Sequence, residues 1–221
     1  MIRLTERAQT ADPELLVGLV SACRYCGLLD ASVAAHARAV ALDPKIRTSV
    51  PHTWFAQFDH TRVAGLKVDD YPYIVPLSLD ALGRGGEALP ALRELESKTK
   101  TRLRDFMVAA RTLLENDAEG SIAAIDRILA SDFSDPEGLF YLARHLAHVN
   151  ESGRALDLLE RVVAGGFFCY PMMAADPWLA PLRRKAAFTK LLGRAEATHQ
   201  EAVAAFAARN GEQILGAGLN I

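Results

Sequence analysis

One pattern constrains this chain more than any other: a pair of short helices closed by a tight turn, recurring along the sequence. Asp12-Pro13-Glu14-Leu15-Leu16 opens a segment that closes at Ala39-Val40-Ala41-Leu42-Asp43-Pro44, and Asp135-Pro136-Glu137-Gly138-Leu139 opens another with the same internal spacing. Aspartate is a good helix N-cap, and proline suits the first helical position, where its missing N–H had no intrahelical partner. Self-similarity of about 34 residues marks an array of helical repeats, which bury their apolar faces by stacking on neighbours. Ala and Leu dominate, while β-branched and aromatic residues are sparse in most segments, which favours helix over sheet. The expected fold is all-α, a right-handed α-solenoid of about five helical hairpins with a C-terminal capping helix. Residues 1–12 read as an N-terminal segment, 13–163 as the repeats, and 164–221 as a connector with capping helices.

The first hairpin is predicted over Pro13–Cys26 and Asp30–Leu42, with Gly27 supplying the left-handed turn. Leu16, Leu19, Val20 and Cys23 share one face of its first helix. The second is short and degenerate, capped at Thr48 or Ser49, turning at Phe58-Asp59 and continuing from His60 to Lys67. The third runs Tyr73–Leu82 and Glu87–Lys98 around Gly83-Arg84-Gly85-Gly86. There Pro76 requires the regular helix to start late or bend, while Pro90 falls in a first turn. The fourth pairs Arg102–Glu115 with Gly120–Ala130, and the fifth pairs Pro136–Val149 with Ser152–Val163. After Gly165-Gly166 the pattern changes. Phe167 to Pro171 reads as a packed connector, Asp176-Pro177-Trp178-Leu179 caps a short helix, and a long helix from Ala187 to Arg209 ends at Asn210-Gly211. Its stripe of Phe188, Leu191, Leu192, Ala195, Ala202 and Phe206 suits a helix covering the end of a stack.

With 25 Lys+Arg against 27 Asp+Glu, the formal charge is −2. That balance argues against a dedicated nucleic-acid binder, which shows a basic excess or stripe. Arg183-Arg184-Lys185 is the densest basic cluster and reads as a solvated face, with phosphate or nucleic-acid contact as the minor reading. Three cysteines do not make a disulfide framework. Residues 1–7 have no apolar signal region, and no run approaches a membrane span, so the default location is cytoplasmic. The first repeat begins so close to Met1 that the chain is also compatible with a piece of a longer protein.

The search for chemistry returns little. Cys23-Arg24-Tyr25-Cys26 is a C-x-x-C without the strand context or second ligand pair that redox or zinc chemistry needs. His145 and His148 stand at i, i+3 without a carboxylate to complete a metal set. Gly83-Arg84-Gly85-Gly86 lacks the Lys-Ser/Thr of a phosphate loop, and there is no Gly-x-Ser-x-Gly. The expectation is therefore no catalytic residues, no metal and no cofactor.

In pattern, the hairpins resemble tetratricopeptide repeats. Leu16, Leu19-Val20, Cys23, Gly27, Ser32, Ala39 and Pro44 stand at that family's preferred positions. So do Pro72, Val75-Pro76, Leu79, Gly83, Ala88 and Leu95, and Leu139, Leu142-Ala143, Leu146, Asn150, Ala155 and Val162. Val20, Pro76 and Ala143 replace the usual glycine. The segments Gly166–Pro171 and Asp176–Arg183 are similar to C-terminal repeat regions of bacterial signalling proteins, namely Ser/Thr kinases and nucleotide cyclases. The resemblance implies that the first helix of each hairpin lines a concave groove. Carried over, the groove residues are Val17, Ser21, Arg24 and Tyr25, then Thr48, His52 and Phe55, then Tyr73, Leu77 and Asp80. Phe106 and Leu113, and Phe140, Arg144 and His148, complete the set. The implied function is a non-enzymatic protein-interaction scaffold holding a peptide or protein segment, with a homo-oligomer possible and neither nucleic acid nor membrane as partner. The alternative is a regulatory or sensory module of a larger bacterial signalling enzyme, acting through a small ligand or self-association.

Overall fold

The computed structural model describes residues 12–101 and 103–216. Residues 1–11, Arg102 at the expected start of the fourth hairpin, and residues 217–221 lie outside the described residues. Among the described residues every regular element is helical, and the helices pack in adjacent pairs. The first pair is α1 (Pro13–Tyr25) with α2 (Leu29–Leu42), followed by the short α3 (Val50–Ala56) and α4 (His60–Ala64). Next come α5 (Ile74–Ala81) with α6 (Gly85–Lys98), α7 (Leu103–Leu114) with α8 (Ala118–Ala130), and α9 (Pro136–His148) with α10 (Ser152–Ala164). The chain continues through α11 (Tyr170–Ala175), a 3-10 helix (Pro177–Leu182), α12 (Ala186–Ala207) and α13 (Gly211–Leu215).

The hairpin turns share one backbone solution. At each, the residue after the C-cap takes a left-handed conformation: Gly27 (φ 77°), Gly83 (φ 75°), Asn116 (φ 62°) and Asn150 (φ 65°). Glycine takes this conformation freely and asparagine tolerates it. The next N–H then reaches back five residues: Leu28 to Cys23, Arg84 to Leu79, Asp117 to Thr112 and Glu151 to Leu146, all at 2.8–2.9 Å. That bond satisfies a carbonyl which a helix end otherwise leaves open.

Five residues after each left-handed turn stands a small, fully buried side chain: Ser32, Ala88, Ser121 and Ala155. Small residues there let the paired helices approach closely, and two of them add the same bond. Ser32 Oγ donates to the Val20 carbonyl (2.6 Å) and Ser121 Oγ to the Ala109 carbonyl (3.1 Å). The first helices start alike as well. Asp12 accepts from the Glu14 amide (3.0 Å) and Asp135 from the Gly138 amide (2.7 Å). Asp135→Ala is expected to cost about 1 kcal/mol of stability in urea unfolding, the ordinary value of a helix N-cap.

Pro76 is the third residue of α5, so that helix starts late, as its sequence requires. Pro90 departs from expectation: α6 begins at Gly85, which puts Pro90 a full turn inside it. Its absent N–H would have met the carbonyl of Gly86, which stands at an exposed position where solvent can take the missing donor's place. The connector after Gly166 also contains a helix, α11, that hydrophobic periodicity does not foreshadow.

The chain divides into two compact units. Among the described residues, one comprises 12–57, 166–176 and 189–216; the other comprises 58–101, 103–165 and 177–188. In the first unit, Leu16, Leu19, Val20 and Cys23 of α1 form a core with Ala31, Ala35 and Ala39 of α2, and Phe206 and Leu215 from the end of the chain join it. In the second unit, α5 to α10 form three consecutive hairpins, and the 3-10 helix packs on α9.

Candidate functional site

Helix α9 shows most directly which surfaces are open. Eleven consecutive residues, Glu137 to Ala147, are buried, although three of them are polar or charged. Burying such groups costs free energy unless each finds a partner. Tyr141 donates its hydroxyl to Glu137 (2.9 Å). The His145 ring lies between Tyr73 and Ser121, with Nε2 2.7 Å from the Tyr73 hydroxyl and Nδ1 3.5 Å from Ser121 Oγ. Ser121 spends its proton on the Ala109 carbonyl. The consistent assignment is therefore a neutral imidazole that carries its proton on Nδ1 and accepts from Tyr73 on Nε2. Burial, with the Arg144 and His148 charges alongside, pushes the His145 pKa down to about 3.

The remaining polar face of α9 is covered by the 3-10 helix. The Arg144 guanidinium carbon sits 4.6 Å from the centre of the Trp178 ring, at cation–π distance. Trp178 also meets His145 edge-on (5.2 Å) and His148 at a tilt (5.1 Å). The stripe expected to face a partner is thus filled at Arg144 by the chain's own tryptophan.

The other predicted groove residues sort by burial. Arg24, Phe55, Tyr73, Leu77, Phe106, Leu113, Phe140 and Arg144 are buried and pack within their own units. Tyr73 stands edge-on to Phe106 and stacks near Tyr141. Arg24 is a packing residue too: its Nη1 reaches the Ser49 carbonyl (3.1 Å), Ser49 Oγ (3.1 Å) and Thr53 Oγ1 (3.3 Å). Ser21 bonds Ser49, and Thr53 bonds Ser32, so the guanidinium is enclosed in hydroxyls. Val17, Ser21, Tyr25, Thr48 and His52 in the first unit are half-buried. Asp80 is half-buried and His148 exposed in the second unit.

The C-x-x-C carries no activated thiol. Cys23 is buried and its pKa is pushed up to about 12, first by burial and then by Cys26. Burial raises Cys26 as well. A reactive thiol needs the opposite shift. Among the described residues, no group of three or more His, Cys, Asp or Glu side chains could hold a metal ion. No described helix is long and apolar enough to cross a membrane.

A second open feature lies where α6 passes into α7. Arg93, Glu96, Ser97, Thr99, Lys100, Arg104 and Arg111 line a cleft of about 660 Å³. Glu96 accepts from Arg104 (3.1 Å) and Arg111 (2.7 Å), and Glu115 from Arg93 (2.6 Å) and Arg111 (2.5 Å). The sequence does carry a signal for it. Lys98-Thr99-Lys100-Thr101-Arg102-Leu103-Arg104 holds four basic residues in seven with no acid. Threonine and leucine between these charges dilute them, so the local density at Arg183-Arg184-Lys185 is higher. Trp178 was legible only as a helix-capping neighbour, because nothing in its spacing says which helix it will cover.

No protein-family model, curated protein or solved structure matches this chain.

Proposed function

We propose that the chain is a non-enzymatic scaffold, a right-handed solenoid of tetratricopeptide-like hairpins that holds a segment of a partner protein. The observation carrying this reading is the shared backbone closure of the turns at Gly27, Gly83, Asn116 and Asn150, the last three spaced 33 and 34 residues apart. Repeats of this kind bury one face of each hairpin on its neighbours and leave the other as an extended surface. Of the residues expected to face a groove in the second unit, Asp80 and His148 remain within a partner's reach, and Trp178 of the 3-10 helix is half-exposed beside His148. Tyr73 and Arg144 form the floor beneath, and their truncation would disturb packing along with any surface.

Photo-crosslinking in the native host tests the reading. A benzophenone side chain placed at Asp80 and, separately, at His148 is expected to capture one and the same protein. His148→Ala is expected to lower the yield from Asp80 several-fold without changing helicity or melting. Capture of unrelated proteins at the two sites, or equal capture from a control position at exposed Arg183, would overturn it.

A further inference from the structure

We propose that the cleft between α6 and α7 is a binding site for a phosphate monoester, formed by Arg93, Lys100, Arg104 and Arg111 and independent of the scaffold reading. Its acids lie deeper than Arg93 and Arg104, and level with Arg111, whose side chain is 21% exposed. The side chains of Glu96 and Glu115 are only 17% and 24% exposed, whereas those of Arg93 and Arg104 are 60% and 49% exposed. Glu96, Glu115 and Arg111 therefore form a lower layer that fixes Arg93 and Arg104 and leaves their positive charge uppermost. Each guanidinium is planar with five N–H donors, so a contact on one edge leaves others aimed elsewhere.

The charge balance supports the same occupant. Three arginines and Lys100 outnumber the two carboxylates, within a chain whose overall charge is slightly negative. Neighbouring acids are already engaged: Glu94 by Lys98, and Asp105 by Arg127 at 2.8 Å. Thr99 adds a hydroxyl to the lining. Guanidinium forks with an ammonium and a hydroxyl match the several oxygens and double charge of a phosphate monoester better than a single carboxylate. Cations gathered at one cleft, with acids on every side, suit one compact anion and would repel the continuous backbone of a nucleic acid.

The phosphate can belong to a free small molecule or to a phosphorylated side chain of a protein, and one experiment separates them. The ¹⁵N-labelled full chain is titrated with inorganic phosphate, phosphoserine and the peptide Gly-Ala-phosphoserine-Ala-Gly, at constant ionic strength with chloride as control. Saturable shifts are expected at the amides of Thr99, Lys100 and Thr101. Lys100→Ala combined with Arg104→Ala should weaken binding about tenfold, and Lys100→Arg should largely retain it. Tighter binding of the peptide than of phosphoserine assigns the site to a phosphorylated protein segment; equal binding assigns it to a free phosphate monoester. Either result supports the site. Absence of saturation with all three, undiminished binding by the double variant, or shifts spread evenly over exposed Lys185 and Lys190 would overturn it.

Discussion

His145→Ala is expected to lower the unfolding free energy of the second unit by about 3–4 kcal/mol, read by urea unfolding through Trp178 fluorescence. The substitution empties a fully buried site, which costs a few kcal/mol where the surroundings cannot collapse. It also removes the hydrogen bond between the Tyr73 hydroxyl and His145 Nε2 at 2.7 Å; a buried hydrogen bond of this kind contributes about 0.5–1.5 kcal/mol. Tyr73→Phe in the same background should recover part of the loss, and the double-mutant cycle should show a coupling above about 0.5 kcal/mol. Strict additivity would mean that the bond contributes nothing.

The same residue sets an acid limit. Its folded pKa, about 3, lies below the unfolded value near 6.5. Between those values the unfolded chain binds more protons, so stability falls as pH falls from about 6.5 toward 3 and is flat for this group above that window. The slope approaches about 1.4 kcal/mol per pH unit. His36 in the first unit is shifted in the same direction by burial, so His145→Gln should reduce the acid sensitivity reported by Trp178 and leave that reported by Trp54 unchanged.

Gly27→Ala should cost about 3 kcal/mol, while Gly83→Ala, at nearly the same φ, should cost about 1 kcal/mol. Both require an L-residue in the left-handed region, a penalty of roughly 1–2 kcal/mol. Only at Gly27 is there also a collision. A Cβ there would stand 2.8 Å from His199 Nδ1 and 2.8 Å from Pro171 Cδ, whereas at Gly83 it would meet nothing within 4 Å. His199 could not retreat without giving up its 2.7 Å bond to the Cys26 carbonyl. Equal losses at the two glycines in chemical denaturation would show that the α1–α2 turn is not tied down by the C-terminal helix.

Hairpin boundaries were legible because their causes are local. Asp12-Pro13, Asp135-Pro136, Gly27, Gly83, Asn116 and Asn150 each act within five residues, and the helices start and stop within about two residues of where these signals put them. Burial across elements was not legible. Arg24 and Arg144 are long charged residues on first helices, and from sequence both read as groove-facing. Their enclosure depends on Ser49 and Thr53 in one case and on Trp178 in the other, residues 25 or more positions away whose placement no local rule supplies. Pro90 misled for the opposite reason. A local rule set α6 to begin at Glu87, yet the helix starts at Gly85, directly after the Gly83-Arg84 turn.

The core of the first hairpin has a consequence for synthesis. α1 and α2 leave the ribosome well before Phe206 and Leu215, which complete their core. At about 5–20 residues per second, α1 and α2 wait on the order of ten seconds or more with Leu16, Leu19 and Val20 only partly covered. The three hairpins from α5 to α10 meet no such delay among themselves, since each finds its neighbour as soon as it emerges. The nascent chain is therefore expected to gain protease resistance across α5 to α10 before it does across α1 and α2.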